Sequence, residues 1–247
     1  MRNTKTISII TVCWNSAKTI QSTLESVREN KSSKVEYIVI DGGSTDSTTQ
    51  IINSNIDIID HFISEQDRGI YEAMKKGAAI AKGDYLYFLN SDDRLAPNVI
   101  SQVLQRMENS NYKDLYCGNV SIVDAQGNVE HVLKSKLRRW KRFYFYMPAP
   151  HPGFFVKKTI FDRLLGFDTS FRIASDFDFL LRCLRLKPSW ENLNLNIIFF
   201  ASSGISSQGN NQMEDVLVWK KNRYPTFAIT IIPALFKLYS KIRCLKK

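Results

Sequence analysis

The sequence is poor in the residues that build closed metal cages. It has only four cysteines, at 13, 117, 183 and 244, and three histidines, at 61, 131 and 151, with no C-x-x-C pair. That spacing excludes a structural zinc site. No apolar stretch runs unbroken to about 18 residues, so no spanning helix is expected. The short apolar run in MRNTKTISIITVCWNS is followed by no small-residue cleavage site, which points to a cytoplasmic chain with reduced thiols. Also missing are a G-x-G-x-x-G fingerprint, a P-loop, internal repeats and low-complexity tracts. With 44% hydrophobic and 23% charged residues over 247 positions, the composition is that of a folded domain with appendages and excludes extended disorder.

Acids are absent from two stretches. Residues 134–142 hold six basic side chains and residues 237–247 hold five, and outside them 23 basic residues face 24 acidic ones. The net charge of +10 is therefore two local patches, which suit an anionic surface or a phosphate-bearing ligand better than a nucleic acid gripped along a whole face. Trp140, Phe143, Tyr144 and Tyr146 interleave the first patch as in a nucleic-acid binder, but the neutral remainder argues against that reading.

Four apolar runs alternate with helix-period segments: Ile7 to Val12, Val35 to Ile40, His61 to Ser64 and Tyr85 to Leu89. This alternation predicts an α/β fold with a parallel sheet and crossover helices. Ile20, Leu24 and Val27 mark one helix; Ile70, Ala73, Met74 and Gly77 mark a second, ending before Gly83 as C-cap; Pro97 opens a third, to about Met107. Further on come a strand at Leu115 to Val123, a turn at 126–128, the break MPAPHPG and a helix from Ser175 to about Leu186. Residues 202–212 read as a loop before a helical, apolar and basic tail.

In such a sheet ligands bind at the carboxyl ends of the strands. Those ends read TVCWN, DGGSTD, EQDRG and NSDD. Asp46 suits a plain first-turn acid and Gly42-Gly43 a tight turn. Asp92 and Asp93 differ, because adjacent carboxylates closing a buried strand repel each other unless a cation or strong donors compensate them. Such oxygen ligands suit Mg²⁺ or Mn²⁺ shared with substrate phosphates.

The runs ISIITVCWNSAKTIQSTLESV, YIVIDGGSTDST and SEQDRGIYEAMKKGAAIAKGDYLYFLNSDD, in that order, resemble the nucleotide-binding half of family 2 glycosyltransferases, and HPGFFVKKTIFDRLLGFDTSFRIASDFDFLLR resembles their acceptor half. The resemblance implies a GT-A fold. It divides the chain into a nucleotide-sugar-binding half at 1–110, an acceptor-binding half at 111–205, and a loop and tail at 206–247. It further implies that Thr11, Val12, Asn15 and Asp41 line the nucleobase pocket, that Asp67 and Arg68 border base and diphosphate, and that Asn90, Asp92 and Asp93 contact ribose and metal. Asp176 falls at the catalytic base and His151 on the acceptor side. Two positions depart from the family pattern: Gly42 where many members carry a second Asp, and Asn90 where many carry the first acid of D-x-D-D. Independently, Ser175 and Asp178 read as a capping box, which would make Asp176 the first helical residue, near the positive end of the dipole.

The expected activity is metal-dependent, inverting transfer of a sugar from a nucleoside diphosphate donor, UDP-linked, to a hydroxyl on a glycan or lipid-linked saccharide in O-antigen-type polysaccharide synthesis. The rivals are a nucleotidyltransferase, disfavoured by Trp14-Asn15-Ser16-Ala17-Lys18 where a Gly-rich basic loop is needed, and a non-catalytic nucleotide-sugar-binding subunit. From Tyr224 the tail YPTFAITIIPALFKLYSKIRCLKK suits a helix lying on an anionic membrane, on the cytoplasmic face of the inner membrane, or one packed on the domain or on a second subunit.

Overall fold

The apolar runs become strands close to their expected bounds, because each has two faces to bury. The computed structural model describes residues 5–201 except 125, 136, 138–146 and 148, and then residues 212–225 and 229. The strands β1 (Ile7–Cys13), β2 (Val35–Asp41), β3 (His61–Ser64) and β4 (Tyr85–Asn90) lie parallel in the order β3-β2-β1-β4. Between them run the helices α1 (Ile20–Asn30), α2 (Thr48–Asn53) and α3 (Ile70–Ile80). After β4 come a two-residue strand β5 (Arg94–Leu95) and α4 (Val99–Asn109).

The second half extends the same sheet in mixed sense. Its strands are β6 (Leu115–Val123), β7 (Val129–Leu133), β8 (Phe154–Lys157) and β9 (Trp190–Ala201), and its helices α5 (Lys158–Arg163), α6 (Ser175–Arg185) and α7 (Gln212–Lys221). Strand β8 inserts antiparallel between β4 and β6, while β9 runs parallel to β6 and carries β5 at its far edge. β6 and β7 form a hairpin through the turn expected at 126–128.

Alternation along each strand sends side chains to two cores. Ile7, Ile9, Tyr37, Val39, Tyr85, Tyr87 and Leu89 pack under α1 and α4, against Ile20, Leu24, Val27, Ile100 and Val103. Ile10, Val12, Ile38, Ile40, Leu86 and Phe88 face Tyr71, Ala73, Met74 and Ala78 of α3 and the aromatic side chains of α5 and α6. Each fully buried Ile, Leu or Val removes enough apolar surface to favour folding by about 1.5–3 kcal/mol.

Local readings shift in three places. On α3 the buried face starts at Tyr71, whereas Ile70 is 42% exposed, so the apolar stripe is rotated by one residue. That helix closes at Ala81 in extended conformation rather than at Gly83, whose job is close approach: a Cβ there would lie 2.5 Å from the Ser8 amide of β1. Helix α4 begins at Val99, two residues after Pro97, with Asn98 left-handed at φ 53° before it. Among the described residues no helix is long and apolar enough to cross a membrane. The basic aromatic stretch at 138–146, the loop at 202–211 and the tail from 230 onward lie outside the described residues.

Candidate active site

The ends of the four parallel strands are tied to one another by hydrogen bonds. The Gly42 amide donates to the Cys13 carbonyl at 2.9 Å, Ser64 Oγ donates to Asp41 Oδ2 at 2.7 Å, and the Ser16 and Ser91 hydroxyls are 2.8 Å apart. The loops after β1, β2, β3 and β4 therefore form one rim.

Asp41 is the anchor of that rim. Its side chain is fully buried and accepts from the Gly43 and Ser44 amides at 3.2 and 3.0 Å and from the Ser44 and Ser64 hydroxyls. Burial alone would raise its pKa, but these donors outweigh burial and hold the carboxyl below the usual range. Gly43, at φ +80°, makes the turn that aims the amides inward. At Gly42 a Cβ would sit 2.7 Å from Asp67 Oδ2, so Asp67 occupies the space that a second acid after Asp41 would need. Asp67 itself accepts from the Gly69 amide at 2.8 Å, and the exposed Arg68 pairs with Glu72 at 3.0 Å.

On the β1 side, the Asn15 amide donates to Ser44 Oγ at 2.7 Å and its side-chain oxygen accepts from the Thr45 amide at 2.9 Å. Asn15 adopts φ 50°, a conformation Asn tolerates. Asp46 has the structural role expected of it, bridging the Ala17 amide at 3.1 Å to the Thr48 amide at 3.0 Å. Thr11 and Val12 are buried within the sheet, paired with β2 and β4 on either side, and the Thr11 hydroxyl accepts from Tyr37 at 3.1 Å, so the Thr11 side chain is engaged inside the protein.

At the end of β4 the acids are crowded. Asp93 is fully buried, and burial together with the neighbouring Asp92 charge pushes its carboxyl well above the usual range despite donors from the Ala201 amide at 3.3 Å and Asn90 Nδ2 at 3.2 Å. Burial raises Asp92 too. Asn90 Oδ1 is buried with no hydrogen-bond partner. Two undercompensated carboxylates beside an orphaned amide oxygen make a hard-oxygen donor set that fits Mn²⁺ or Mg²⁺. Among the described residues no third His, Cys, Asp or Glu joins them.

The α6 side contributes the second carboxylate centre. Helix α6 starts one residue earlier than the capping box requires: Ser175 is its first residue, Ser175 Oγ has no partner, and Asp176 is the second helical residue. Asp178 is structural by another route, accepting from Arg182 Nε at 2.7 Å and Asn222 Nδ2 at 2.8 Å. Burial lifts the Asp176 carboxyl to about 6, against donation from the Phe177 amide at 2.8 Å and contact with Tyr71 Oη at 3.2 Å, while the Glu214 charge adds to the rise. Tyr71 Oη also donates to the Ile173 carbonyl, tying α3 to the start of α6.

His151 is no exposed loop residue on extended backbone. It opens a short 3₁₀ turn at His151–Gly153, where the fixed φ of Pro152 suits a helical turn, and it lies among Phe88, Phe154 and Phe167 with ring centroids 5.9, 5.1 and 5.6 Å away. Burial in that cage lowers its pKa to about 4, leaving a neutral imidazole.

Three residues at the α6 end carry no signal in the sequence. Tyr71 reads as one more apolar position of α3. Glu214 and Asp215 lie on α7, beyond the loop at 202–211, where only tertiary structure brings them to Asp176.

Comparison with known proteins gives the chain its relatives. The model of the family described as Glycosyl transferase family 2 matches residues 8–166. An uncharacterized glycosyltransferase of Mycobacterium tuberculosis is 31% identical over 185 residues, covering 74% of this chain and 70% of the relative. A PGL/p-HBAD biosynthesis glycosyltransferase of Mycobacterium bovis is 28% identical over 247 residues, covering 95% and 91%. Among solved structures, S. aureus TarS 1-349 in complex with UDP-GlcNAc superposes with TM-score 0.72 at 16% identity over 88% of this chain, which spans 65% of that one. The Pyrobaculum calidifontis mannosyltransferase PcManGT in complex with GDP-Man and Mn²⁺ gives TM-score 0.66 at 17% identity, covering 94% and 69%. These likenesses establish the GT-A fold.

Proposed function

Because the chain belongs to glycosyl transferase family 2, we propose that it moves a sugar from a UDP-linked donor to a hydroxyl of a glycan or lipid-linked saccharide, with inversion and with the help of a divalent cation. The pair of half-buried Asp92 and buried Asp93 carries this reading, since so crowded a pair at a strand end calls for positive charge. The P. calidifontis neighbour solved with GDP-Man and Mn²⁺ supports a cation, and the S. aureus neighbour solved with UDP-GlcNAc supports a UDP donor. The relative named a PGL/p-HBAD biosynthesis glycosyltransferase supports a biosynthetic transfer of this kind.

In this reading Asp92 and Asp93 would hold Mn²⁺ or Mg²⁺, with Asn90 beside them toward the ribose. When bound, the cation supplies charge to the departing diphosphate. The loops held by Asp41, Asn15 and Asp46 position the nucleoside, with Thr11 and Val12 of β1 beneath it and Asp67 and Arg68 at the base and diphosphate. Asp176 takes the proton of the acceptor hydroxyl as that oxygen attacks the anomeric carbon, and one in-line displacement inverts the centre. A carboxylate titrating near 6 is ionised at neutral pH yet basic enough to accept the proton. Neutral His151 and its aromatic cage lie on the acceptor side.

Thermal shift with UDP, with and without Mn²⁺, tests the core of the proposal. A ligand at about 100 times its dissociation constant stabilises a protein by about 2.7 kcal/mol. The intact protein should show that gain only with Mn²⁺, and Asp93→Ala should show none. Equal UDP stabilisation of both proteins without metal would overturn the cation assignment. Slow hydrolysis of the donor in the presence of Mn²⁺ would separate an enzyme from a binding subunit.

A further inference from the structure

Helix α6 carries Asp176 at its second position, yet the Ser175 hydroxyl that its sequence offers as a cap is buried and unpartnered. The Phe177 amide of the first turn is met by Asp176 Oδ1 itself, at 2.8 Å. The turn that leads into the helix is held by another element. One carboxylate oxygen of Glu214, on α7, accepts from the Arg172 amide at 2.9 Å, and the other from the Ile173 and Ala174 amides, both at 2.8 Å. Three successive backbone donors meet on one side chain, and bonds to an ionised acceptor are the stronger kind.

The middle residue of the three is also held by α3. Tyr71 Oη of α3 donates to the Ile173 carbonyl and lies 3.2 Å from Asp176 Oδ1. The turn leading into Asp176 is thus clamped between α7 below its amides and α3 at its carbonyl. Helix α7 is fastened to α6 by further contacts, with Asn222 Nδ2 on Asp178 Oδ1 at 2.8 Å, Lys221 near the Asp178 carboxylate at 3.4 Å and Arg185 on the Asn222 carbonyl.

We propose that Glu214 is a positioning residue for the transfer reaction: as a carboxylate anchor supplied from α7, it fixes the 172–174 turn and with it the place and protonation of the Asp176 carboxylate. The inference rests on the reading of Asp176 as the base. It assigns α7, which lies outside the matched family segment at 8–166, a direct part in setting up the acceptor side. The ionisable groups facing Asp176 are Tyr71 from α3 and Glu214 and Asp215 from α7. Burial and the two acids raise Asp215 as well, to about 6. Removing the Glu214 charge should therefore lower the pKa of Asp176.

Glu214→Gln in the full chain is the test, because it keeps the shape and one carbonyl acceptor while turning an amide donor toward a backbone amide. Hydrogen exchange should show faster exchange at the 172–174 amides. Turnover should fall about 10- to 100-fold, as expected when a reacting group moves by about 1 Å, with donor KM and Mn²⁺-dependent UDP stabilisation retained. The acidic limb of the rate profile should move to lower pH, and Glu214→Asp should recover part of the turnover. Unchanged exchange at 172–174 overturns the anchoring of that turn by Glu214. Faster exchange with unchanged turnover and an unmoved limb overturns its link to transfer. If Glu214→Gln does not fold, Glu214→Asp, whose shorter side chain draws the carboxylate away from the three amides while keeping the charge, carries the exchange and turnover readouts, and unchanged exchange at 172–174 overturns the proposal there too. Full transfer by Asp176→Asn, by contrast, sinks the base reading and leaves the exchange result standing.

Discussion

Asp176 shows how one residue can be costly to the fold and useful to the reaction. With its pKa raised to about 6 from an ordinary 3.8, the folded state binds the proton more tightly than the unfolded state does. Stability from this group is therefore full below about 3.8 and is lost as pH rises through about 6. Asp176→Asn removes that loss, so its stability relative to the intact protein should grow by up to about 3 kcal/mol between pH 4 and pH 7.5, measured by denaturant unfolding at both pH values. The same change should cut transfer by about 10²–10⁴-fold while donor affinity holds, and the intact enzyme's rate should climb with pH through about 6. Loss of donor binding along with transfer would make Asp176 a donor contact. His151 has the opposite sign: its pKa falls to about 4 from 6.5, so its contribution is full above about 6.5 and is lost as pH drops toward 4. His151→Phe should accordingly gain about 1–2 kcal/mol on the intact protein when both are taken from pH 7.5 to pH 5, by the same measurement. Its effect on transfer should appear in acceptor KM and not in donor KM.

At the scale of elements, α3 is fitted closely onto the sheet. A Cβ on Gly77 would lie 2.4 Å from Ile10 Cγ2 and 3.3 Å from Ile40 Cγ1, so the helix backbone rests directly on β1 and β2. Gly77→Ala should push α3 off the sheet at about 1–3 kcal/mol of stability, despite the higher helix propensity of Ala. It should also weaken transfer through Tyr71, which hangs from the same helix. A melting temperature equal to or above that of the intact protein would show that the layers give way. The strands were legible because alternation and apolar runs are local signals, and β1 to β4 and β6 fall nearly where periodicity puts them. The placement of β8 was not, because a four-residue strand gains its identity from two neighbours far away in sequence. At the site, the strand-end motifs mark a rim but not which oxygen faces which donor. Asp41 reads as a ligand contact, and its carboxylate proves to be the internal tie of the rim. The α7 acids were illegible because they reach Asp176 only through the packing of α7 on α6.

For the whole molecule, charge is the long-range signal. The two basic stretches at 134–142 and 237–247 hold the excess of the net +10, and together with the apolar residues before the second they motivate docking on an acidic membrane, each Lys or Arg near the surface contributing about 1 kcal/mol. A chain ending after residue 229 keeps Tyr224, which stacks on Trp219, and Ile229, which packs on the core. In liposome co-sedimentation the full chain should pellet with acidic vesicles in a salt-dependent manner and the shortened chain should not. Equal pelleting of both would end the membrane reading.

The antiparallel seat of β8 between β4 and β6 also has a consequence during synthesis. When the first 110 residues have left the ribosome, β1 to β4 can already pair, but the free edge of β4 waits for Phe154–Lys157. Until then a row of unpaired backbone groups along Tyr85–Tyr87 is open to any passing strand. A nascent chain stalled within the β6–β7 hairpin is thus the form most in need of a chaperone, and release of the segment through Lys157 is the moment at which that need should fall.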